Sequence, residues 1–133
     1  MKEKQQPLFT KLTKFTQRKI TGDKAEDQAC QFLQEKGLKL KQRNFATKLG
    51  EVDLIMQDAD SLVFIEVRYR KNSDFGGAAM SITPKKQQRI IKAALAYQKK
   101  HAPQSSMRFD VVAIEGEGEN RQINWIDNAF YGY

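Results

Sequence analysis

Two carboxylates that must face each other across a hairpin constrain this chain more than any other feature. Gly50 to Arg70 reads G-E-V-D-L-I-M-Q-D-A-D-S-L-V-F-I-E-V-R-Y-R. Residues 51 to 57 and 62 to 69 are rich in Val, Ile, Leu and Phe, and Asp58-Ala59-Asp60-Ser61 has turn composition, so the spacing predicts two strands joined tightly. With Gln57 opposite Leu62, facing positions sum to 119, which sets Asp53 opposite Glu66 and Glu51 opposite Arg68. Side chains alternate along a strand, so Val52, Leu54, Met56, Val63, Ile65 and Val67 form one apolar face. The other face carries Glu51, Asp53, Ile55, Gln57, Leu62, Phe64, Glu66, Arg68 and Arg70. A slip of one residue would scatter the apolar set over both faces. Two facing carboxylates repel unless a cation sits between them or one keeps a proton.

The rest of the chain approaches or covers this hairpin. A helix is expected from Thr21 or Asp23 to Lys36, with Ala25, Ala29, Phe32 and Leu33 at helical spacing and Gly37 just past its end. Glu26 lies early on it, beside the apolar stripe, where the helix dipole alone would favour an acid. Leu38 to Thr47 reads as a strand, and Gly50 lets the chain turn into the hairpin. A long loop follows Arg70. Thr83-Pro84 then starts a helix running to about Lys100, with Ile90, Ile91, Ala94 and Leu95 on its buried side and Lys85, Lys86, Arg89 and Lys92 on a basic one. Met107 to Ile114 and Arg121 to Ile126 complete the strands, and the tail Phe130-Tyr131-Gly132-Tyr133 is expected to pack on the sheet. The order α-β-β-β-α-β-β implies an α/β domain with a mixed β-sheet flanked by helices.

Composition bounds the function classes. The chain has 133 residues, 40% of them hydrophobic, enough for one domain with a core. It has no apolar run of membrane-spanning length and no secretory block, so a cytoplasmic protein is expected. One Cys and one His exclude a zinc site of the usual kind, and Cys30, inside a helix, reads as a core residue. The net charge of +7 suggests a polyanionic partner, yet residues 1 to 20 hold +5 of it and the other 113 only +2. Residues 1–20, with Leu8, Leu12 and Phe15 at weak helical spacing, are a basic arm, frayed or docked as a helix, either gripping nucleic acid or only solubilising, and residues 21–133 the domain.

Acidic oxygens from neighbouring strands suit a divalent cation such as Mg²⁺, which takes one or two carboxylates, keeps several waters and completes its shell with phosphate. Asp53 and Glu66 are the candidate ligands, and Arg68 on the same face could hold a phosphate oxygen.

An Asp followed on the next strand by Glu-x-Lys marks the PD-(D/E)XK nuclease-like fold, which these residues resemble. More closely, the chain is similar to the bacterial YraN family, on G-D-K-A-E-D-Q-A at 22 to 29, R-N at 43 to 44, G-E-V-D at 50 to 53, F-I-E-V-R-Y-R at 64 to 70, F-G at 75 to 76, a helix with Lys85 and Ala94, and R-F-D-V-V at 108 to 112. The resemblance implies a restriction-endonuclease-like fold, catalytic positions at Glu26, Asp53, Glu66 and Arg68, Mg²⁺ or Mn²⁺ on Asp53 and Glu66, and nucleic acid, DNA first, contacting Arg70, Lys71, Lys85, Lys86 and Arg89. Arg68 stands where the pattern has Lys and, being permanently protonated, cannot act as a base. Three readings follow: a metal-dependent endonuclease, a nucleic-acid-binding module without turnover, and a structural or partner-binding protein in which Glu51 with Arg68 is a surface ion pair.

Overall fold

Leu62, Val63, Phe64 and Ile65 are apolar in succession, and a strand apolar on both faces must lie where both faces are covered. In the computed structural model, whose described residues are 14–72 and 82–131 with side chains from residue 24 onward, they lie in β3 (Ser61–Arg70), the middle strand of a five-stranded mixed sheet. The chain runs α1 (Lys14–Glu35), β1 (Lys39–Ala46), β2 (Glu51–Asp58), β3, α2 (Pro84–His101), β4 (Ser106–Glu115), a 3-10 turn at Gly118–Asn120 and β5 (Gln122–Phe130). This is the expected order of elements, and the strands lie side by side in chain order. β3 and β4 are parallel, with α2 as the crossover that a parallel pair requires, and the other neighbours are antiparallel. Among the described residues no helix is long and apolar enough to cross a membrane.

The hairpin has the expected register, from Asp58↔Ser61 to Leu54↔Ile65. Each helix then covers one face of the sheet. Ala25, Ala29, Cys30 and Leu33 of α1 pack on Leu54, Met56, Val63, Ile65, Val112 and Ile114. Ile90, Ile91, Ala94 and Tyr97 of α2 pack on Ile55, Leu62, Phe64, Phe109 and Val111. The end of α1 follows from Gly37, at φ 103, which lets Leu38 N–H reach the Leu33 carbonyl and Gly37 N–H the Gln34 carbonyl.

Four expectations change. α1 begins at Lys14 rather than Thr21 or Asp23, so residues 14 to 20 of the expected arm continue the helix; residues 1–13 lie outside the described residues. Val52 belongs with Ile55 and Phe64 under α2, not with Leu54 under α1. Leu95 is 46% exposed while Ala93 is fully buried, because the buried face of α2 runs along Ile90, Ala93, Ala94 and Tyr97. In the tail, Phe130 stacks on Phe109 but Tyr131 is exposed, and Gly132 and Tyr133 lie outside the described residues.

Gly50 also has a different role from the expected one. The turn before β2 is held by Thr47, whose hydroxyl accepts from Leu49 N–H and Gly50 N–H and whose own N–H donates to the Gly50 carbonyl. Gly50 instead allows α2 to touch the sheet: a Cβ there would lie 1.8 Å from the Arg89 carbonyl oxygen and 2.5 Å from its carbon. Backbone cannot give way cheaply at such distances, so Gly50→Ala should cost about 3 kcal/mol or more, read as a lower denaturant midpoint, whereas Gly37→Ala, with nothing near its Cβ, should cost only about 1 kcal/mol from its positive φ.

Candidate functional site

The β2–β3 ladder ends at Leu54↔Ile65, although β3 continues beside β4 to Arg70↔Glu115. The cause lies one strand away. Phe45 packs under α2 while Arg43 reaches Glu26 and Asp27 of α1, so two residues that would share a face in a regular strand point to opposite faces. Between them Asn44 takes φ 53. In β2 the alternation breaks between Val52 and Leu54, the partners of Phe45 and Arg43. Asp53 stands at that break. Its Oδ2 accepts from Val67 N–H at 2.8 Å, so a side chain takes the ladder bond that β2 backbone does not make.

Glu66, the next residue of β3 after the last ladder pair, is only 3% exposed. Its carboxyl meets that of Asp53 within hydrogen-bonding reach, as the register predicted. Oε2 of Glu66 has Arg68 NH1 at 3.3 Å and Lys86 Nζ, from the first turn of α2, at 3.7 Å. Oε1 is buried and receives no N–H or O–H donor among the described residues. Burial and the Asp53 charge therefore push the Glu66 carboxyl from the ordinary 4.5 up to about 7, against the pull of Lys86 and Arg68. Burial raises Asp53 as well, opposed first by the Val67 amide. Such a pair must share a proton or gain a cation.

A fully buried acid on the other face shows what a completed environment looks like. Asp110 has Oδ1 on Arg108 Nε and Asn128 N–H, both at 3.0 Å, and Oδ2 on Arg108 NH2 and Trp125 Nε1, both at 2.9 Å. Asp110 is a structural strut, with its lone pairs taken. Glu66 is not, and its unfilled Oε1 beside Asp53 is an oxygen set that a hard divalent ion fits, with open positions for water and phosphate. Among the described residues no three acidic, His or Cys side chains converge.

The expected site residues divide accordingly. Asp53, Glu66 and Arg68 come together. Glu26 has Arg43 as its charged partner at 3.6 Å, a contact on the α1 side of the sheet. The expected pairing of Glu51 with Arg68 is not made: the break at Asp53 turns the start of β2 toward α2, and Glu51 bonds Arg89 at 3.2 Å while Arg68 turns to Glu66. Lys85 is exposed, Arg70 is exposed at the end of β3, and Lys71 lies 3.6 Å from Glu117. Lys86, expected only to touch nucleic acid, is the residue whose place sequence reasoning missed. Thr83-Pro84 was the available signal, since it fixes which residues form the first turn of α2: Thr83 Oγ1 accepts from Lys86 N–H at 3.1 Å. Phe75 and Gly76 lie outside the described residues.

Comparison with known proteins places this site within a matched region. The profile of the uncharacterised protein family UPF0102 matches residues 25–114. A UPF0102 protein of Herminiimonas arsenicoxydans is 46% identical over 123 residues, covering 92% of this chain and 95% of the relative. Those of Coxiella burnetii and Nitrosococcus oceani are 52% identical over 110 residues and 51% over 111, covering 81% and 82% of this chain and 89% and 90% of their own.

The raised Glu66 carboxyl has a signed consequence for the metal-free protein. The folded chain keeps a proton that the unfolded chain releases above about pH 4.5, so this group's contribution to stability falls as pH rises to about 7 and is level above it. Glu66→Gln removes the effect. The variant should gain on the native protein by up to about 3 kcal/mol between pH 4.5 and 7.5 in chelator, measured by urea unfolding, and a constant difference would contradict the assignment.

Proposed function

This chain belongs to the uncharacterised protein family UPF0102, the YraN family its sequence resembles, and we propose that it is a divalent-metal-dependent phosphodiesterase acting on DNA in the cytoplasm, on a restriction-endonuclease-like fold. One observation carries this reading: Asp53 and Glu66 converge at a broken ladder with a buried oxygen that no donor among the described residues fills.

Mg²⁺ or Mn²⁺ would be held by Asp53 and Glu66. Bound there, it would supply a water of lowered pKa and stabilise charge growing on a phosphate. Asp53 is held in place by the Val67 amide, so one ligand is oriented before any ion arrives. Arg68 carries a planar fork suited to a phosphate oxygen. Lys86 at Glu66, together with Arg70, Lys71, Lys85 and Arg89, would supply the charge that tracks a nucleic-acid backbone. Glu26, the helix acid the resemblance implies, forms an ion pair with Arg43 that ties α1 to β1.

A second reading, a nucleic-acid-binding module without turnover, is favoured by a single residue. Arg68 cannot accept a proton, and no other group on β3 beside Glu66 can.

Metal binding is tested directly. Mg²⁺ or Mn²⁺ should raise the melting temperature of chelator-stripped protein, and Asp53→Asn should abolish the rise. Activity is tested on linear, single-stranded, flap and four-way DNA with Mn²⁺. Native protein should cleave at least one, and Glu66→Ala should lose about 100-fold or more. DNA bound with a steep salt dependence and left intact in every case would establish the second reading instead.

A further inference from the structure

Resting on the metal-site reading above, we infer that Lys86 is a place-holding cation that couples metal loading to phosphate binding. Its ammonium balances the carboxyl pair while no metal is present and turns to a phosphate oxygen once the metal takes over.

Charge balance leads to this assignment. Above about pH 7, where the pair has given up its proton, Asp53 and Glu66 are offset by Arg68 and Lys86, and among the described residues the site is neutral. A neutral site has no reason to attract a phosphodiester. A divalent ion leaves it at +2, and the anion then binds only where the metal already sits. The two protein cations differ in how they are held. Arg68 lies two residues from Glu66 on the same strand, with NH1 at hydrogen-bonding distance, 3.3 Å. Lys86 Nζ, at 3.7 Å, is inside ion-pair range but outside hydrogen-bonding range, and its side chain is 30% exposed. It is held by charge alone and is free to leave when that charge is met by another ion.

The backbone gives the ammonium a fixed pivot. Lys86 N–H is bound by the Thr83 hydroxyl, and one turn on, α2 is pressed against Gly50 and tied by Arg89 to Glu51. Any movement of Lys86 is therefore confined to its flexible four-carbon stem, as the exchange of a carboxylate for a phosphate oxygen requires.

Mn²⁺ titrated calorimetrically into chelator-stripped protein tests the inference without turnover. Lys86→Met, which keeps the stem and loses the charge, should bind Mn²⁺ about fivefold more tightly than native protein, since the competitor is gone. In saturating Mn²⁺ it should bind a cleavage-resistant phosphorothioate duplex about tenfold more weakly, and Lys86→Arg should restore duplex binding. Lys99→Met, an exposed lysine of the last turn of α2, should leave Mn²⁺ affinity unchanged. Lys86→Gln gives the same readout if the Met variant folds poorly. Unchanged or weaker Mn²⁺ binding in Lys86→Met, or equal tightening in Lys99→Met, would overturn the inference while leaving the metal site standing. Native protein that binds no Mn²⁺ would sink both.

Discussion

A carboxyl group sealed from water and offered too few donors must find its missing positive charge somewhere, and the region around Glu66 is arranged about that need. Desolvating a carboxylate costs several kcal/mol unless donors or cations replace the lost water. Here a second acid, Asp53, is brought against it, which raises the cost further. β2 leaves the ladder at Asp53, opposite the reversal of side-chain direction at Asn44, and there the Asp53 carboxylate takes the Val67 amide. The arrangement also requires α2 to begin where Lys86 can face Glu66, which depends on the Thr83 cap and on the bare backbone of Gly50. Residues far apart in the chain thus serve one electrostatic imbalance.

The fold breaks its ladders twice with the same device and ends each break differently. Where β4 and β5 shift register between Phe109 and Val111, Asp110 accepts the amide of Asn128, which sits at φ 51. Where β2 and β3 part, Asp53 accepts the amide of Val67. In both places an aspartate stands in for a main-chain carbonyl. At the first, Arg108 and Trp125 fill every remaining position and join the strand ends rigidly. At the second, the neighbouring Glu66 is left incomplete. Buried polar groups in native proteins nearly always find partners, and Glu66 Oε1 is among the few buried side-chain atoms here that do not, set beside a second carboxyl.

Much of this was legible in the residues. The alternation of Val, Ile and Leu fixed the hairpin register, and with it the meeting of positions 53 and 66, because a slip would expose the core. Gly37 and Thr83-Pro84 marked helix ends by their backbone chemistry, which is local and carries over from sequence to structure. What escaped was set by tertiary contact. Nothing in the spelling of β1 says that Asn44 takes a left-handed φ, so Val52 was placed on the wrong face and Glu51 was given the wrong partner. Leu95 fits the helical repeat of the buried side, but the sheet under α2 is covered by Ala93 and Ala94 before it is reached. The place of Lys86 followed from the distance between two elements, which no spacing within either encodes.

The irregularities of the outer strands bear on how copies of the molecule meet. Among the described residues β1 and β5 are the edge strands, each with one row of main-chain groups facing outward, the kind of margin onto which a foreign strand can add. β1 shifts register between Leu40 and Gln42, within a run that also carries Lys39, Lys41 and Arg43, and β5 is distorted around Asn128. An incoming strand would find a crooked, positively charged border on one side and a kinked one on the other. The same bends that shape the interior therefore guard against sheet-to-sheet aggregation, a protection that straightening β1 by deleting Lys41 would remove.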